Sequence, residues 1–105
     1  MLVKTYCAAV NGLEVTTVTV EVSMSRGIQF HLTGLADTAV KESYDRIKAA
    51  LVNNGLKMPM MDITVNLSPA DIKKEGSGYD LPLAIGIMAA NGKVNCERLG
   101  EYVLI

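Results

Sequence analysis

ITVNLSPADIKKEGSGYDLPLAIGI, residues 63–87, changes its hydrophobic period twice. Ile63, Val65 and Leu67 alternate with Thr64 and Asn66, the period-two pattern of a strand with one buried face. From Ser68-Pro69 through Gly78 the chain is polar and reads as a loop with room for one helical turn. From about Asp80 to Ala90 it is apolar nearly all round, which predicts a central helix; Pro82 is tolerated in its first turn and Asn91-Gly92 ends it. A buried strand, a polar loop and a buried helix in succession commit the chain to a sheet with a helix packed on it.

Outward from this stretch the same arguments extend to both ends. Before it, Val40, Tyr44, Ile47 and Leu51 recur at helical spacing within residues 38–54. Asp37 is the expected N-cap, Asn53-Asn54-Gly55 the stop, and Glu42 the expected partner of Arg46 one turn on. Met58, Met60 and Met61 read as adaptable packing ahead of the strand, although methionine-rich surfaces also serve partners. Ile28, Phe30 and Leu32 alternate with Gln29, His31 and Thr33, a strand that turns His31 to water.

Residues 2–10 and 13–22 form a hairpin across Asn11-Gly12, a type I′ signal. Leu13 and Val15 are odd-numbered while Val18, Val20 and Val22 are even, so a β-bulge is expected at Thr16-Thr17. Tyr102-Val103-Leu104-Ile105 reads as a last strand, cut at its end, as in a fragment of a longer protein. The order β-β-β-α-β-α-β predicts an α+β fold with one sheet and the helices mainly on one face.

The chain has 105 residues, half of them hydrophobic and 20% charged, enough for one core and one domain, residues 1–105. With a net charge of -1 no global positive field draws it to nucleic acid or anionic lipid. The apolar run Leu81–Ala90 is far short of the ~20 residues a bilayer span needs, and no leader opens the chain, so a cytoplasmic domain without membrane contact is expected. Cys7, Cys96 and the single His31 make no zinc spacing and read as two free thiols and a solvent-facing histidine. Asn66-Leu67-Ser68 matches a glycosylation sequon, but nothing routes it to the secretory path.

Chemistry, if present, is expected in the 68–80 loop, with Ser68, Asp71, Lys73, Lys74, Glu75, Gly76, Ser77, Gly78 and Asp80 as candidates. Gly76 and Gly78 let amides approach a ligand, and the following helix start favours an anion. The plainer reading is that the glycines relieve a tight loop and that Lys73-Lys74-Glu75 is a solvated charge run. Ser77 has no nearby histidine as a base. Between Gly86 and Gly92-Lys93 stand five residues where a Walker loop needs four, and Val94 replaces its Ser or Thr, so no nucleotide or metal site is expected here.

Thr33–Leu51, TGLADTAVKESYDRIKAAL, and Ile63–Ile87 with its KKEGSGYDLPLA segment together resemble the amino-terminal domain of magnesium-chelatase-like AAA+ ATPases of the ComM/YifB type. The resemblance implies an attached AAA+ module that handles ATP and Mg, a hexamer only in the full-length protein, and a role in bacterial DNA recombination and branch migration. It also implies a ribosomal protein S5 domain 2-like, Lon-protease-like fold, truncated at its C-terminal end, with a left-handed crossover. In Lon-type proteases the loop reads Lys-Asp-Gly-Pro-Ser-Ala-Gly. Aligned on Lys74-Glu75-Gly76, Gly78 takes the nucleophile position and Ser77 the proline's, and the lysine base lies beyond this chain. The resemblance therefore implies a non-catalytic domain engaging protein, or weakly single-stranded or branched DNA through Lys73 and Lys74. A hydrolase remnant using Ser77 and a structural oligomerisation domain are the alternatives.

Overall fold

The computed structural model describes residues 2–105. Strands β1 (Leu2–Asn11), β2 (Glu14–Ser25), β3 (Phe30–Thr33) and β4 (Asp62–Ser68) make one sheet in the order β1-β2-β4-β3. β2 pairs antiparallel with both β1 and β4, and β3 runs parallel to β4. Val3, Thr5, Cys7 and Ala9 of β1, Val18, Val20 and Val22 of β2, and Ile63, Val65 and Leu67 of β4 line the buried face.

The hairpin departs from expectation by one residue. Asn11 pairs with Glu14, so the central turn residues are Gly12 and Leu13, and positive φ falls on Gly12 alone (62°), the type II′ rather than the I′ pattern. Register then runs unbroken from Asn11–Glu14 to Leu2–Ser23, and there is no bulge at Thr16-Thr17. The parity change has a simpler cause: Leu13 sits fully exposed in the turn and Val15 on the open face.

The predicted helix 38–54 is two helices, α1 (Thr38–Lys41) and α2 (Ser43–Asn53), parted at Glu42. In a continuous helix the Ala39 carbonyl would accept from the Ser43 amide; here Arg46 Nη2 takes it at 2.5 Å. α3 spans Asp80–Ala90, as its pattern predicts, and a 3₁₀ turn follows at Leu99–Glu101. α3 lies on β1 and β2, and α2 packs against α3. Gly86 permits that close approach, because a Cβ there would stand 2.8 Å from Val22 Cγ2. Thr5 Oγ1 donates to the Pro82 carbonyl (2.9 Å), tying β1 to the first turn of α3. Tyr44 of α2 meets Phe30 of β3 with ring centroids 4.8 Å apart, so α2 also touches the sheet.

The expected last strand does not form. Residues 102–105 make one bond to the edge of β1, Leu104 N to the Tyr6 carbonyl (2.7 Å), and a single bond is not a ladder. Among the described residues no helix is long and apolar enough to cross a membrane.

Candidate functional site

The 68–80 loop is clamped to a second loop that joins β3 to α1. β4 ends with Ser68 beside Thr19, and the peptide bond to Pro69 is cis. Lys74 N donates to the Leu35 carbonyl and Asp37 N to the Lys74 carbonyl, both at 2.9 Å, an isolated parallel bridge centred on Ala36 and Lys74. Asp37 works on both loops. Its Oδ1 accepts from Val40 N (2.8 Å) as the expected N-cap of α1, and its Oδ2 accepts from Gly76 N (3.3 Å). The close fit needs glycine at position 34, where φ is 116° and a Cβ would lie 2.1 Å from the Leu67 carbonyl oxygen.

Lys74 overturns the reading of a solvated charge run. Its side chain is fully buried, and Nζ donates to the Pro69 carbonyl, with the Leu67 carbonyl at 3.5 Å. The loop folds over the end of β4, where strand pairing has stopped and carbonyls need donors, and the ammonium supplies one. Burial pulls its pKa below the usual lysine value, and Asp71 partly offsets that. Lys74 is therefore not available to a phosphate, and the expected two-lysine DNA contact loses one member. Lys73 is exposed and ion-paired to Glu75 at 3.3 Å.

Asp80 is also engaged. Arg46 Nε donates to its Oδ2 (2.6 Å) and Nη2 to its Oδ1 (2.9 Å), so Arg46 pairs across to α3 and not with Glu42. The hydrogen bond with Asp80 raises the Arg46 pKa further. Ser77 is exposed. Its carbonyl accepts from Asp80 N (3.1 Å), while α3 has Tyr79 as N-cap with no side-chain bond, so the Ser77 hydroxyl does not cap the helix. With Lys74 turned inward and Lys73 on Glu75, neither loop lysine is placed as a base for Ser77. Ser68, Asp71 and Gly78 are exposed and Gly76 half-buried.

A hollow of about 220 Å³ separates the end of β1, Ala8–Asn11, from Lys73, Glu75, Gly78 and Tyr79. Tyr79 is buried, which raises its hydroxyl pKa, with Cys7, Asp37 and Glu75 adding to the rise. The charged side chains lining the hollow are Lys73 and Glu75, which are paired with each other. Among the described residues no three His, Cys, Asp or Glu side chains cluster as a metal site would need.

Reasoning from sequence missed Gly34, Leu35 and the second role of Asp37. The N-cap signal found Asp37, and the non-glycine Leu35 at φ 59° carries no sequence signal at all.

A family profile described as subunit ChlI of Mg-chelatase matches residues 20–105. The Escherichia coli (strain K12) protein YifB is 43% identical over 95 residues, 90% of this chain and 19% of that protein. Competence protein ComM of Haemophilus influenzae (strain ATCC 51907 / DSM 11121 / KW20 / Rd) is 44% identical over 101 residues, 95% of this chain and 20% of its own length. A Mycobacterium tuberculosis (strain ATCC 25618 / H37Rv) protein is 40% identical over 103 residues. The chain spans about a fifth of the length of these relatives. With most of its length covered by that profile and its sheet, helices and loop clamp as described, the chain belongs to the Mg-chelatase ChlI-like family, alongside ComM and YifB.

Proposed function

We propose that the chain is a non-catalytic domain, residues 1–105, of a cytoplasmic magnesium-chelatase-like AAA+ ATPase. It assists an attached motor in DNA recombination or branch migration through protein contacts made by the paired loops 33–37 and 68–80. The observation that carries this reading is that the two charges at the base of the loop are held within the fold, Lys74 on carbonyls and Asp80 on Arg46, while Asp71 and the Lys73–Glu75 pair stay at the surface. A loop held this way presents a fixed shape, while Ser77 lacks an activating base. ATP and Mg belong to the attached module, and the hexamer to the full-length protein. Nucleic-acid contact by this loop is secondary, because Lys73 is its single exposed cation and is already paired. A relative is named as a competence protein, which is consistent with this reading.

The finer topology we assign is the ribosomal protein S5 domain 2-like, Lon-protease-like one with a left-handed crossover. What supports a crossover connection is that β3 and β4 are adjacent, parallel and joined through α1 and α2; its left hand is what the family resemblance implies.

The experiment compares the full-length protein with a form lacking residues 1–105 and with Ser77→Ala. Deletion is expected to impair branch migration while ATP binding persists, and Ser77→Ala to change neither. Saturable ATP binding by the 105-residue chain in calorimetry, or stoichiometric fluorophosphonate labelling abolished by Ser77→Ala, would overturn the reading.

A further inference from the structure

At the other end of β4 from the clamped loops, the segment leading into Asp62 stands between two hollows of about 440 and 590 Å³, which share Lys57, Met58, Pro59 and Met60 as a common wall. The smaller one lies against α2, whose Tyr44, Lys48 and Val52 recur every four residues and so form one outward stripe. Ile28, from the turn between β2 and β3, and Met60 face the same space. Ile28, Val52 and Met60 are 79%, 58% and 85% exposed. Large apolar side chains left open around one concavity mark an interaction surface, where the same residues scattered singly would not.

The charge is as one-sided as the shape. The chain carries 11 acidic and 10 basic residues, yet the charged side chains lining the two hollows are Lys48, Lys57 and Lys93, with no carboxylate among them.

We propose that this face docks an amphipathic helix of a partner protein, its apolar side chains in the hollow beside Val52 and Met60 and its Asp or Glu residues on Lys48 and Lys57. Helix-in-groove recognition combines these two features, and methionine walls adapt to the side chains that enter. A second copy of the chain would bring the same lysines against one another across a two-fold contact, which is repulsive. A single-stranded nucleic acid would stack its bases on aromatic faces, and the one aromatic here, Tyr44, is packed on Phe30; a duplex would use the lysines alone and leave Ile28, Val52 and Met60 uncovered.

The probe is a helical peptide of about 18 residues with leucines on one face and glutamates along both edges, and a twin with lysines in place of the glutamates. The chain is labelled at its methionine and isoleucine methyls. The glutamate peptide is expected to shift Met58, Met60 and Ile28, to bind at least tenfold more weakly to the Lys48→Glu, Lys57→Glu double variant, and the lysine twin to bind that variant and not the wild type. Any one of four results overturns the proposal: methyl shifts elsewhere or none, affinity indifferent to charge reversal, a DNA duplex binding the same methyls more tightly than the peptide, or sedimentation that finds the chain dimeric through this face.

Discussion

Arg46 of α2 holds Asp80, the first residue of α3, with two parallel hydrogen bonds of 2.6 and 2.9 Å, and reaches back to the Ala39 carbonyl at 2.5 Å. One guanidinium thereby fixes the end of α1, the start of α2 and the start of α3 at the edge of the candidate site. Two-point geometry of this kind is more specific than a single lysine contact.

The first prediction concerns that unit. Arg46→Ala and Asp80→Ala each lower the unfolding midpoint, and the double variant falls no further than the worse single one, because both remove the same contact. Urea titration of the four proteins measures it; additive losses would mean that the two side chains act independently.

Lys74 gives the second. Its ammonium is buried among carbonyls with no carboxylate bonded to it, so Lys74→Met exchanges a desolvated charge for an apolar chain of similar length and loses one donor. The two effects nearly offset, and stability is expected to stay within about 1 kcal/mol of wild type. Lys74→Glu sets a carboxylate against the same carbonyls and is expected to cost at least ~3 kcal/mol. Chemical denaturation of both variants at neutral pH decides the matter.

Cys7 supplies a pH dependence. Burial pushes its thiol from 9.0 up to about 11. The unfolded chain loses this proton first, so its contribution to stability is complete below pH 9 and lost as pH rises to about 11, a fall of about 2 to 3 kcal/mol. Lys74, whose pKa is lowered, works in the opposite sense at alkaline pH, so the readout is the difference between wild type and Cys7→Ala from pH 8 to 11. That difference should move against the wild type as pH rises. Iodoacetamide at pH 8 should modify Cys96, which is half-buried, well before Cys7.

Gly86→Ala tests how closely α3 sits on the sheet. Alanine improves helix propensity by about 1 kcal/mol, but its methyl would meet Val22 Cγ2 at 2.8 Å, and overpacking costs ~1–3 kcal/mol. The expected result is a net loss of about 1 kcal/mol. Adding Val22→Ala should recover part of it relative to additivity, and a thermal melt of each variant is sufficient to see this.

The sequence by itself determined the four strands of the sheet, though not the fifth it predicted at 102–105, and with them α3, the N-cap at Asp37, the outward His31 and the family. Each of these rests on periodicity, turn chemistry or a motif within a few neighbouring residues, where the chain's own geometry leaves little choice. Only the tertiary structure decided that the turn centres on Gly12-Leu13, that Arg46 prefers Asp80 to Glu42, that residues 102–105 make one bond to β1, and that Lys74 points inward. Lys73 and Lys74 look alike along the chain. What separates them is the position of Leu35 and Asp37, nearly forty residues away, whose backbone grips residue 74 and turns its side chain toward the unpaired carbonyls at the end of β4. Pairings of that kind depend on which surfaces the folded chain brings together, and no local pattern encodes them.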